Sequence, residues 1–63
     1  MIEFTVTEIN RSLLIQGSKS DVTSYIEDNK LTAESVQYRT VENFDGETVY
    51  TVVMLGIISR AGG

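Results

Sequence analysis

The run Val49 to Ile58 constrains this chain more than any other stretch. Only Thr51 and Gly56 interrupt a series of valines, isoleucines, Tyr50, Met54 and Leu55. Near-continuous β-branched and aromatic residues read as a strand buried on both faces, in the interior of a sheet. The run is about half the length a membrane helix needs. A strand of this kind demands cover on two sides, and the chain has only 63 residues with which to provide it. A chain of that size buries about 60% of the surface its unfolded form exposes. It has no cysteine, so no disulfide can supplement the core.

The partner strand lies just upstream. Val36 to Val41 alternates, and Asp45-Gly46 between the two runs is a strong hairpin signal. A two-residue Asp45-Gly46 loop sets Phe44 opposite Glu47. It pairs Val36 with Leu55, Tyr38 with Val53 and Thr40 with Thr51 on one face. The other face then carries Gln37 with Met54, Arg39 with Val52 and Val41 with Tyr50. A slip of one residue would exchange these partners between faces.

The first half reads as strand, strand and helix. Ile2, Phe4 and Val6 alternate with polar residues, and Ser12 to Gln16 forms a second apolar segment. Asn10-Arg11 can turn the chain between them, because asparagine tolerates positive φ. A single bent strand from Ile2 to Gln16 is the alternative. Gly17-Ser18-Lys19-Ser20 breaks the pattern, and Ser18 or Ser20 can cap a helix. Val22, Tyr25, Ile26 and Asn29 then share one stripe of a helix from about Asp21 to Lys30, with Leu31 anchoring its exit. So short a helix must dock on the sheet to persist.

The order is ββαββ in one domain over residues 1–63, an α+β fold with a four-stranded sheet and one short helix. The most economical arrangement places the first and last strands side by side and parallel, a β-grasp-like sheet. A sheet completed by dimerisation, with strands shared between subunits, is its rival.

One ten-residue helix covers one face of such a sheet. With Val49, Val53 and Leu55 on the helix side, Tyr50, Val52, Met54 and Val41 are left near water. Such a patch marks an interaction surface, for a second copy of this chain or for another protein. Arg39 would orient the partner. Glu42 and Glu47 would steer one with a basic surface. Alternatively, the stems of Arg39 and Gln37 lie over the patch and keep it small. Gly56 marks a bulge that relieves strain or redirects Ile57 and Ile58 toward a neighbour.

Sites for chemistry are sparse. The chain has no histidine and no cysteine, so the near-neutral proton shuttle and thiolate chemistry are missing. Glu27 and Asp28 are adjacent on a helix and diverge. Glu42, Asp45 and Glu47 form a solvated acidic turn, without the ligand spacing of a calcium loop. Gly17-Ser18-Lys19-Ser20 lacks the spacing of a phosphate loop. Five basic against nine acidic residues, net −4, disfavours nucleic acid. Tyr25, Tyr38 and Tyr50 have too few cations among them to serve as a base-stacking platform. These features imply a protein that is not an enzyme, holds no cofactor or metal, and binds neither nucleic acid nor membrane. Met1 to Glu8 lacks the basic start and apolar core of a signal peptide, so a cytoplasmic location is expected.

The last five residues are Ser59-Arg60-Ala61-Gly62-Gly63. A C-terminal Gly-Gly on a small β-grasp resembles the ubiquitin-like sulfur carriers of thiamin and molybdopterin synthesis. The resemblance implies that Gly63 would carry the sulfur as a thiocarboxylate and that Gly62 would thread into a narrow activating site. It covers the tail and the coarse order of elements. Those carriers have a longer connection with extra structure where this chain has Asp45-Gly46. The leading expectation is instead a small acidic interaction protein of adaptor or inhibitor type, such as an accessory protein of a phage or mobile element. It would be a homo-oligomer or bind a basic partner, through Arg39, Val41, Glu42, Glu47, Tyr50, Val52 and Met54.

Overall fold

A computed structural model describes residues 2–59. Its elements are β1 (Thr5–Ile9), β2 (Ser12–Gly17), α1 (Lys19–Asp28), β3 (Thr32–Glu42) and β4 (Thr48–Ser59). The α+β class and the ββαββ order are as expected. The strand order is not. The four strands run β1-β2-β4-β3 and every neighbour pair is antiparallel. The β-grasp pairing of first and last strands, parallel and central, is therefore replaced by β2 beside β4. Side-chain chemistry gives the reason. Leu13 and Ile15 are fully buried on one face of β2, and Leu14 lies on the other. β1 offers mostly threonine and glutamate, is exposed along its whole length, and takes the edge.

The core lies between the sheet and α1. Leu13 stands opposite Met54 and Ile15 opposite Val52, so four apolar side chains meet on the two central strands. Val22 of α1 closes on them and Leu31 seals the end; all six are buried. Tyr25, Ile26, Val36, Tyr50, Ile57 and Ala33 pack around this cluster, each half-buried. Fully burying a side chain of this type is worth about 1.5–3 kcal/mol. Phe4 precedes β1 and lays its ring against Tyr25, centroids 5.5 Å apart.

Local signals place the helix. Ser18 is the N-cap, and its hydroxyl accepts from the Asp21 N–H at 3.1 Å. The helix begins two residues earlier than the apolar stripe alone suggests, because the cap rather than the stripe sets its start. At the other end Lys30 takes φ +51°. Its N–H donates to the Glu27 carbonyl, and the Leu31 N–H donates to the Ile26 carbonyl. This is the Schellman arrangement, with lysine where glycine is usual. It turns the chain so that Leu31 drops into the core. Asn10 likewise takes φ +56° and closes the β1–β2 hairpin.

The β3–β4 hairpin differs from the two-residue expectation by one residue, with large consequences. Asn43 and Glu47 face each other, the Asn43 N–H donating to the Glu47 carbonyl at 2.9 Å. Phe44, Asp45 and Gly46 form a three-residue loop, Gly46 at φ +82°. The Gly46 N–H donates to the Asn43 carbonyl, and Asn43 Oδ1 accepts from the N–H groups of Asp45 and Glu47. A type I turn followed by a left-handed glycine is the usual three-residue hairpin. The pairs become Val36 with Met54, Tyr38 with Val52, Arg39 with Thr51 and Val41 with Val49.

Farther along β4, Gly56 takes φ +68°. Ile57 consequently packs against the core although Met54, three residues earlier, does too. The glycine thus reverses the alternation of β4, and Ala33 and Val36 show the same three-residue step on β3. Ile57 thus turns inward while Ile58 stays 64% exposed, and the register shift of this ladder lies one step farther on, at Thr32/Ala33. An alanine at 56 would keep the strained φ, a cost of about 1–2 kcal/mol. The Gly56→Ala chain should therefore show a lower urea midpoint with an unchanged denaturant slope. Lys30→Gly removes a similar strain but loosens the unfolded chain, and should raise stability by about 0.5–1 kcal/mol in the same measurement.

Candidate functional site

The register decides which face of the sheet is open. Helix α1 sits over β2 and β4 on the side that carries Tyr50, Val52 and Met54. Val52 and Met54 are 0% and 2% exposed, and Tyr50 is half-buried. The expectation that these three form the free docking surface is thus corrected: they are the underside of the helix. One extra loop residue moved β4 by one position, which carried its core set across the sheet. The premise that one helix covers one face holds, with the faces of β4 exchanged.

The open face carries Thr7 and Ile9 of β1, Leu14 and Gln16 of β2, Gln37, Arg39 and Val41 of β3, and Val49, Thr51, Val53 and Leu55 of β4. Ile9, Leu14, Val41 and Leu55 are exposed there, while Val49 and Val53 are half-buried. Two shallow depressions cross the face. One, of about 390 Å³, is lined by Leu14, Gln16, Gln37, Arg39, Val41 and Val53. The other, of about 230 Å³, lies between Thr7, Ile9, Ser12, Leu14 and Val53. They meet at Leu14 and Val53. Gln16 Nε2 donates to Thr51 Oγ1 at 3.3 Å, which gives the buried Thr51 hydroxyl a partner within the face.

Charge is unevenly placed. Arg39 is the one charged side chain among the open-face residues just named. Six of the nine carboxylates lie on the helix, Asp21, Glu27 and Asp28, or around the hairpin end, Glu42, Asp45 and Glu47; Glu3 precedes β1, Glu8 is on β1, and Glu34 of β3 reaches beside Gly56. Depletion of charge on an otherwise solvated surface is the compositional mark of an interface core.

Of the residues singled out in the sequence, Arg39 and Val41 belong to the open face. Glu42 closes β3 opposite Thr48, and Glu47 sits in the hairpin loop held to Asn43. Gly62 and Gly63 lie outside the described residues. The sequence reading missed Leu14, Val53 and Leu55 on this face, because all three were assigned by the shorter loop or left on a minor side of β2. It also passed over Phe44, which stands at the hairpin tip with 99% of its surface in solvent. A phenylalanine inside a turn was the available signal. Among the described residues, no group of three acidic, histidine or cysteine side chains is placed to hold a metal. No helix there is long and apolar enough to cross a membrane.

Comparison with protein-family models, with curated proteins and with solved structures gives no match for this chain.

The two faces of the sheet respond differently to charge. Val52→Glu should unfold the protein, since it buries a carboxylate with no partner. Val41→Glu, on the open face, should leave far-UV circular dichroism and the thermal midpoint within a few degrees of the parent. A folded Val52→Glu chain would contradict the placement of α1.

Proposed function

We propose that this chain is a non-enzymatic protein-interaction module of adaptor or inhibitor type that docks the helix-free face of its sheet onto another protein. The observation that carries the reading is the open strip of Ile9, Leu14, Val41 and Leu55, with Arg39 as its single charge. At about 25 cal/mol per Å², covering a few hundred Å² of such surface contributes several kcal/mol. The depressions are wide and shallow, which suits a protein surface better than an enclosed small ligand.

The chemistry of the partner follows from the same face. Its contact surface is apolar at the centre and presents a carboxylate or carbonyl acceptor to the Arg39 guanidinium. The acidic hairpin end, Glu42, Asp45 and Glu47, favours a basic rim on that partner and speeds encounter at low salt. Phe44 projects beyond this rim, a single aromatic anchor of the type that fills a pocket at an interface.

The carrier alternative rests on Gly62 and Gly63, which lie outside the described residues, and on the ββαββ order of elements; the strand order β1-β2-β4-β3 is not that of a β-grasp. The interaction reading rests on side chains within the described fold. A photo-crosslinking residue at position 41 should give discrete protein adducts in the native cell, and the same probe at Glu27 on the outer helix should not. Leu14→Lys should remove the position-41 adducts without unfolding the chain. Equal labelling from both positions would refute docking through this face.

A further inference from the structure

The edge of the sheet, as well as its face, is uncovered. β3 is an edge strand of 11 residues, more than twice the 5 residues of the opposite edge, β1. An edge strand presents unpaired backbone N–H and C=O groups along its length, and proteins blunt such edges with lysine, proline, bulges, brevity or a covering element. β3 contains no lysine and no proline, and its charged residues, Glu34, Arg39 and Glu42, leave the stretch Ser35 to Tyr38 uncharged. Its one register shift lies at Thr32/Ala33, and α1 does not reach over it. From Ser35 to Glu42 the strand is in regular register and open on its outer side.

We propose that β3 pairs antiparallel with β3 of a second copy, about a two-fold axis at Gln37, to give a continuous eight-stranded sheet. Symmetry and charge select this register. A two-fold axis perpendicular to a sheet keeps each side chain on its own face, so only registers centred on a residue are allowed. Centring on Arg39 sets two guanidinium groups against each other and Val36 against Glu42. Centring on Tyr38 sets Glu34 against Glu42, two carboxylates. Centring on Val36 sets Tyr38 against Glu34. Centring on Gln37 sets Val36 against Tyr38 twice, Ser35 against Arg39 twice, and the two Gln37 amides against each other. No like charges then oppose, and like charges directly across a pair are destabilising.

The same register answers an exposure that the monomer leaves standing. Tyr38 is 65% exposed on the helix side, where its ring leans on Tyr50 at a centroid distance of 6.3 Å and nothing covers its outer half. The Val36 of the second copy would lie against that outer half. Gln37 is also the midpoint of β3, five residues from Thr32 and five from Glu42. The pairing is independent of docking through the open face, which it would extend rather than occlude.

The chain has no cysteine, which makes single-cysteine variants clean reporters. Residues directly opposite in an antiparallel pair have Cα atoms about 4.5–5.5 Å apart, inside the range of about 4.4–6.8 Å that a disulfide spans. Under mild oxidation, Gln37→Cys should crosslink largely to dimer, several-fold faster than Ser35→Cys, Arg39→Cys or Leu14→Cys. By sedimentation the unmodified chain should rise to twice its monomer mass as concentration increases. Monomer mass up to millimolar concentration would overturn the proposal. So would crosslinking of Leu14→Cys at a rate equal to or above that of Gln37→Cys, which would mean that copies meet face to face. Because position-41 adducts with foreign proteins are read separately, either result leaves the test of the open face intact.

Discussion

Everything in this fold hangs on the seam between β2 and β4 beneath Val22. Leu13 with Met54 and Ile15 with Val52 form two adjacent cross-strand pairs, and one helix residue seals them. The strands that make this seam come from opposite ends of the chain, so its formation closes the whole topology at once. Among the described elements, β1 packs against β2 alone and β3 against β4 alone. The outer strands therefore inherit their positions from the centre. Their backbone ladders extend the sheet, but their side chains add little to the core beyond the half-buried Val36 and Ala33.

Loop length, rather than side-chain preference within the strands, fixes which apolar set enters that seam. The two faces of β4 are nearly equal in apolar content: Tyr50, Val52 and Met54 against Val49, Val53 and Leu55. Composition cannot choose between them. Asn43 chooses, by capping a turn with its side chain and admitting three residues between the paired positions. Asp-Gly serves two-residue and three-residue loops alike, and reading it as the shorter one displaced every pair by one. The longer turn was legible in principle. Asparagine at the first position and glycine at the fourth, Asn43-Phe44-Asp45-Gly46, is the signature of a type I turn. β3 was assigned correctly relative to the helix, with Val36 and Tyr38 on its side; only β4 was turned over.

Other parts of the chain were readable because they depend on local chemistry. Ser18 followed by Asp21 marks the helix start, the stripe from Val22 to Asn29 marks its buried side, and Asn10 supplies a positive φ where a turn needs one. Strand order was not readable in this way. It turns on whether β1 or β2 better tolerates burial on both sides, and the alternation of Ile2, Phe4 and Val6 overstated β1. In the structure Phe4 leaves the sheet to meet Tyr25, and the strand that remains is short and exposed. The lysine at the helix exit was also unreadable, because nothing in its residue type announces φ +51°. The requirement comes from Leu31, which must turn back into the core one residue later.

A shortage of chain links the remaining features. Sixty-three residues supply one helix of 10, enough to roof the two central strands and no more. The far face stays open, and so does the outer strand on the near side. In a chain with scattered surface charge these bare areas would be unremarkable. Here six of the nine carboxylates gather on the helix and at the hairpin end, and Glu34 stands at the far end of β3 beside Gly56, while the middle of the far face keeps one guanidinium and a row of aliphatic side chains. A protein whose sole demand were solubility would gain from placing some of its nine acidic residues across that row, where they would cost the core nothing. Their absence from the one broad surface that the fold cannot shelter is the strongest physical reason to regard that surface as a contact and not a leftover.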